Sequence, residues 1–170
     1  ENDKLLHLSR HDALTKLPNL IYFYEKLFEL FDQDKDAAVF FLDINDFKSV
    51  NDQFGHLAGD AILRASSHCV KQALPNDAFI ARLGGDEFAI IVNGLDSAQE
   101  LEMYCRKIHD CYTSTFVFDQ HHISLNASIG VALAQKAKSP EDLIADADRA
   151  MYNAKKTTDN WSIASQQHSV

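Results

Sequence analysis

Nothing in this chain is patterned to span a bilayer. The apolar run Ala37-Ala38-Val39-Phe40-Phe41-Leu42 is far shorter than the ~20 residues a transmembrane helix needs. Glu1 to Lys4 is polar with no hydrophobic region behind it, so no secretory leader is expected. The missing initiator Met reads as a fragment of a longer protein. Cysteine is scarce too. Cys69, Cys105 and Cys111 are odd in number and lack metal-type spacing, and are expected as reduced, partly buried thiols of a cytosolic protein. Positive charge is in deficit: 16 Lys and Arg face 25 Asp and Glu, a formal charge of −9. That argues against a general nucleic-acid coat and against contact with an anionic membrane surface. A nucleotide stays compatible, because a few local lysines, backbone N–H groups and a divalent metal suffice for its phosphates. No internal repeat, low-complexity tract or linker interrupts the 170 residues, so one domain with a substantial core is expected.

What is present reads as alternating helices and buried strands. Residues 2–9 look like the end of an entering helix, broken by Thr15 to Asn19 with Pro18. Ile21 to Phe31 carries apolar residues at helical spacing. Ala37 to Ile44 is a buried strand closing on Asp43. Asn45 to Gln53 reads as a short helix ended near Gly55, and Asp60 to Leu74 as a longer one started by Gly59-Asp60. Strands follow across Ala78 to Val92, then a helix over Ser97 to Tyr112, then strands at Thr115 to Phe118 and His122 to Leu133. Ser139-Pro140-Glu141-Asp142 starts a helix running to about Lys156. Trp161 to Ala164 suits a last edge strand. The pattern predicts an α+β (α/β-like) fold of ferredoxin-like or palm type, a mostly antiparallel sheet flanked by helices. Residues 1–11 are assigned to the entering helix, 12–164 to the domain and 165–170 to a frayed tail.

The most informative stretch is Arg82-Leu83-Gly84-Gly85-Asp86-Glu87-Phe88. Two glycines between apolar runs mark a β-hairpin whose turn needs positive φ. The following strand is apolar on both faces, which places it inside a sheet. Acids at the mouth of such a strand need a partner, and a metal ion is an obvious one. Asp43 closes another buried strand, and neighbouring strands lie about 5 Å apart. Asp43 and Asp86 at adjoining strand ends would suit Mg²⁺, which takes carboxylates together with substrate phosphates, and so metal-assisted nucleotidyl transfer. The alternative reading of Asp43 is a strand-end residue that caps the next helix. Phe47 and Lys48 open that helix, where backbone N–H groups and Lys48 could hold a triphosphate; alternatively Lys48 is a solvated surface lysine. Asn51 and Asp60 offer the donors and acceptors that would select guanine over adenine. From spacing alone, Asp60 is better read as an N-cap, and His56 as a turn or packing residue.

Taken together, these segments resemble the GGDEF family of diguanylate cyclases. The matching blocks are Asp12 to Asn19, Leu42 to Lys48, Asn51-Asp52 through Gly55-His56 to Gly59-Asp60, Arg82 to Phe88, Ala127 to Ala132, and Ala147-Asp148 through Met151-Tyr152 to Ala154-Lys155. They run in the family's order over nearly the whole chain. The resemblance implies that two GTP condense to cyclic di-GMP with release of two pyrophosphates, in a face-to-face homodimer. By matching position Asp43, the Ile44 carbonyl and Asp86 become ligands for Mg²⁺, or Mn²⁺ in its place. Asp86, Glu87 and Lys48 become the catalytic set, with Glu87 a candidate to help deprotonate the 3′-hydroxyl. Asn51 and Asp60 become guanine readers, against the cap reading, and Phe47, Lys48 and Lys155 lie at the phosphates. The resemblance also implies a cytoplasmic domain joined by its entering helix to a sensory or dimerising module, in a larger protein that is either free or membrane-anchored.

Departures from the family pattern set further expectations. Pro75 and Ala78 replace the Arg-x-x-Asp of the inhibitory product site, so no product inhibition is expected there. Thr158-Asp159-Asn160 replaces the usual Gly-Arg-Asn, putting an acid where a basic phosphate contact stands. Lys16 and Leu20 replace a glycine and an arginine, so an ion pair with Asp12 is expected to be missing. The competing reading is a GTP-binding module without turnover that regulates a neighbouring domain. A mixed or adenine product is disfavoured by Asp60.

Overall fold

The structure is a computed structural model describing residues 2–95, 97–157 and 160–164. Its helices are α1 Asn2–Arg10, α2 Leu20–Asp32, α3 Phe47–Phe54, α4 His56–Ala73, α5 Ala98–Thr113 and α6 Pro140–Lys156. Its strands are β1 Ala37–Asn45, β2 Phe79–Gly84, β3 Glu87–Asn93, β4 Phe116–Phe118, β5 His121–Ile123, β6 Asn126–Leu133 and β7 Trp161–Ile163. Five strands form one sheet in the order β2-β3-β1-β6-β7. All its pairings are antiparallel except β6 with β7. This is the expected α+β, palm-type architecture.

β1 lies at the centre because it is apolar on both faces, and both faces are covered. Ala38, Phe40, Leu42 and Ile44 pack with Ile62, Leu63 and Val70 of α4 and Leu101 and Ile108 of α5. Val39 and Phe41 pack with Phe23, Leu27 and Leu30 of α2 and Leu143, Ala147 and Met151 of α6. The alternation along the strand thus feeds two cores, one on each side of the sheet.

Local sequence explains where most helices begin. The side chains of Asn19, Ser97 and Ser139 accept hydrogen bonds from the backbone N–H of Tyr22, Glu100 and Asp142 at 3.1 Å each, satisfying donors that have no helical partner. α4 departs from expectation. It starts at His56, four residues before Asp60, with Gly55 at φ +92° as the joint between α3 and α4. That φ is open to glycine and costly for other residues. Asp60 therefore lies inside the helix and is not its cap. The expected single strand over His122 to Leu133 is two. Asp119 and Gln120, at φ 47° and 69°, turn β4 back onto β5, and the chain joins the main sheet only from Asn126.

The cysteine expectation is overturned. Cys69 of α4 and Cys111 of α5 form a disulfide with Cα atoms 5.7 Å apart. The count and spacing of cysteines carry no information about which helices pack side by side, and α4 and α5 do. The argument for a reducing compartment loses that support. Cys105 remains free and buried. Burial, helped by Glu102, pushes its thiol up to about 12, so it is inert as a nucleophile. Among the described residues, no helix is long and apolar enough to cross a membrane.

Candidate active site

The backbone ladder brings the two acids together. Asp43 stands opposite Glu87 of β3 on one side and Ser128 of β6 on the other. The Ile44 N–H donates to the Asp86 carbonyl at 3.2 Å, so the hairpin turn is tied to the end of β1. Asp43 does not cap α3, whose N-cap is Asp46 at φ 57° with no side-chain cap hydrogen bond.

The turn itself is fixed from behind. Gly84 and Gly85 have φ of +154° and +49°, with nothing within 4 Å of an added Cβ. Their backbone conformation, rather than crowding, requires glycine. Arg82 donates from Nε and Nη2 to the Gly85 carbonyl at 3.0 and 2.8 Å. Its Nη1 reaches the Asp12 carboxylate at 3.1 and 3.2 Å. The expectation that Asp12 lacks an ion pair is therefore wrong: Arg82, 70 residues away, supplies the guanidinium that position 20 does not. No local pattern in the sequence shows this brace, because it joins two distant turns. Burial alone would raise the Asp12 carboxyl, but hydrogen bonds from Thr15 and the guanidinium outweigh that and hold it low.

A cleft of about 480 Å³ gathers Asp43, Ile44, Phe47, Lys48, Asp86 and Lys155. A larger cavity of 670 Å³ on the other flank of α3 shares only Asn45 and Asp46 with it. Lys155, from the last turn of α6, donates to Asp43 Oδ2. Asp43 Oδ1 is buried without a partner. Burial, then the Asp43 carboxylate and more weakly Glu87, raises Asp86 to about 6. The hydrogen bond to Asp43, followed by the nearby acids, raises Lys155. Two crowded carboxylates with an orphaned oxygen fit a cation. Among the described residues no three or more His, Cys, Asp and Glu side chains form a cage. The donor set therefore fits Mg²⁺, which is commonly held by one or two carboxylates together with substrate phosphates.

Asn51 and Asp60 lie elsewhere, on α3 and α4, and Asn51 packs against Gly59, the residue before Asp60: a Cβ at Gly59 would stand 1.9 Å from Asn51 Oδ1. Glu87 is exposed at the start of β3. Pro75 and Ala78 form the turn before β2, with Ala78 N–H on the Pro75 carbonyl at 3.0 Å. Thr158 and Asp159 lie outside the described residues, as does the tail 165–170.

The chain matches the family described as diguanylate cyclase, GGDEF domain, over residues 9–161. It belongs to that family. Diguanylate cyclase TpbB of Pseudomonas aeruginosa (strain UCBPP-PA14) is 36% identical over 162 residues, covering 92% of this chain and 37% of that protein. Signaling protein YkoW of Bacillus subtilis (strain 168) is 35% identical over 160 residues, covering 90% of this chain and 20% of that protein. The chain thus spans well under half of these curated relatives. A solved structure of TpbB comprising only the GGDEF domain superposes with a TM-score of 0.83 at 32% identity, covering 92% of this GGDEF domain and 95% of that chain. The coiled coil and GGDEF domain of DgcB from Caulobacter crescentus, at 24% identity and a TM-score of 0.85 over 96% of this chain and 90% of that one, shares the fold.

Proposed function

We propose that this GGDEF domain is a working diguanylate cyclase. The observation that carries the reading is the cleft that holds Asp43 and Asp86 beside Lys48, Lys155 and the N-terminus of α3. In the reaction each 3′-hydroxyl oxygen bonds to the α-phosphorus of the other GTP, the bond to the β-phosphate oxygen breaks, pyrophosphate leaves, and the hydroxyl proton is lost. This happens twice per cyclic di-GMP. Asp43, the Ile44 carbonyl and Asp86 would hold Mg²⁺, which supplies charge neutralisation at the phosphates when bound. Lys48, the first N–H groups of α3 and Lys155 hold the triphosphate. Lys155, paired with Asp43 in this structure, would be available to phosphate once that carboxylate held Mg²⁺. Asn51 and Asp60 read the guanine edge, and the open space over Gly84 and Gly85 leaves room for the nucleotide. Glu87, exposed opposite Asp43, takes up the hydroxyl proton in this reading. Each domain carries one such set, so two copies must face each other to align the two reacting ends, and docking them supplies the proximity contribution.

The test is a mass-spectrometric product assay on a forced dimer with GTP and Mg²⁺, beside Asp86→Ala. Cyclic di-GMP from the wild type, reduced on the order of 10³-fold in the variant, is expected. GTP binding without product at high protein concentration would instead establish the regulatory reading. That reading has lost part of its support, since Arg82 supplies the ion pair that Leu20 does not. With Pro75 and Ala78 at the product-site positions, added cyclic di-GMP is expected to leave the rate unchanged.

A further inference from the structure

Gly59 is an unexpected residue for its place. It stands on the fourth position of an 18-residue helix, where glycine is unfavourable relative to alanine by about 1 kcal/mol. Its φ is not in the left-handed region, and it is neither a cap nor a turn. The reason for its presence is space. An added Cβ would stand 1.9 Å from Asn51 Oδ1, 3.0 Å from Asn51 Cγ and 3.1 Å from Phe47 Cζ. The Asn51 amide lies directly on the α4 backbone, one residue from Asp60.

We infer that Gly59 is a positioning residue for nucleotide recognition: its bare backbone is the seat that holds the Asn51 amide beside Asp60. The inference rests on the proposed reading of Asn51 and Asp60 as the guanine contacts and deepens it. The obstruction is the far end of a side chain that is free to rotate, so a methyl group at 59 displaces Asn51 without disturbing the helix backbone. The Phe47 ring, buried in the core, gives by a few tenths of an ångström. Displacing Asn51 leaves one of the two base contacts out of place while the carboxylate of Asp60 keeps its position. Guanine affinity falls, and with it the preference over adenine, which depends on both contacts acting together.

The experiment is calorimetric titration of wild type, Gly59→Ala, Asn51→Ala and the double variant with 3′-deoxy-GTP and Mg²⁺, a probe without the attacking hydroxyl, repeated with 3′-deoxy-ATP. Gly59→Ala is expected to weaken 3′-deoxy-GTP binding on the order of tenfold and to narrow the guanine-to-adenine ratio, with an unchanged or higher melting temperature. In the Asn51→Ala background the same change is expected to cost nothing further, because the displaced group is already gone. Equal losses in both backgrounds, or wild-type affinity in Gly59→Ala, would overturn the inference while leaving the guanine reading intact. A fall in melting temperature of more than about 5 °C would assign Gly59 to packing instead. Absence of 3′-deoxy-GTP binding by the wild type would bring down the guanine reading, and this inference with it.

Discussion

Gly59 and Gly130 lack a side chain for opposite reasons. At Gly130, in the middle of β6, an added Cβ would stand 2.1 Å from the Met151 N and 2.3 Å from the Ala147 O. Those atoms are the main chain of α6. At Gly59 the nearest atom is the tip of a side chain. One glycine lets a helix lie against a sheet; the other lets an amide lie against a helix. What separates a residue serving the fold from one serving the site is whether the obstructed atom is free to rotate away. Both stand in blocks that match the family, so membership in a motif does not by itself reveal which kind of constraint is at work.

The comparison breaks most visibly at Gly130. Gly130→Ala forces α6 off the sheet, because neither a helix carbonyl nor a helix N–H swings aside. The expected loss is about 3 kcal/mol, the upper end of overpacking costs. For a chain of this size that lowers the melting temperature by roughly 6–12 °C, measurable by calorimetry. A melting temperature within 2 °C of wild type would show that α6 slides freely and that the two glycines are alike.

The next effect sharpens the comparison on the Gly59 side. Asp60→Ala should weaken GTP binding about 30-fold, or about 2 kcal/mol, by leaving the base donors unpaired. Stability should hold, since α4 begins at His56 and Asp60 caps nothing. Were Asp60 a cap after all, its loss would cost about 1 kcal/mol and lower the melting temperature by roughly 2–4 °C. Titration and a thermal melt on the same variant separate the two.

That distinction also marks how far the sequence was legible. The strand ends carrying Asp43 and Asp86 are readable because continuous apolar runs meet turn residues there, and the spacing of strands in a sheet does the rest. The start of α4 is not, because Gly-Asp before an apolar stretch is a cap signal, while His56-Leu57-Ala58 offers no capping side chain. The helix starts from the geometry of Gly55 instead. The Cys69–Cys111 bond and the Arg82–Asp12 brace both join residues far apart in the chain, so no local window contains them. The motif positions themselves were readable; the contacts that hold them in place were not.

The brace adds a third kind of glycine to the comparison, one constrained by backbone angle alone. Gly85, at φ +49° with open space around it, keeps its conformation because Arg82 grips its carbonyl, and Asp12 in turn orients Arg82. Asp12→Asn removes the charge from that chain of contacts. The Asp12–Arg82 pair is only partly exposed, with side chains 21% and 14% accessible, so the expected loss is about 1 kcal/mol at neutral pH, the top of the range for screened pairs. The sign with pH follows from the low carboxyl of Asp12 in the fold. A carboxylate held below its unfolded value stabilises the fold above that value, and the contribution fades as acid protonates it through the folded one. Urea midpoints of wild type and Asp12→Asn should therefore differ at pH 7 and converge below about pH 4. A difference that persists unchanged into acid would mean that the hydrogen bonds from Thr15, rather than the charge on Asp12, orient the brace, and the hairpin glycines would then owe their conformation to the turn alone.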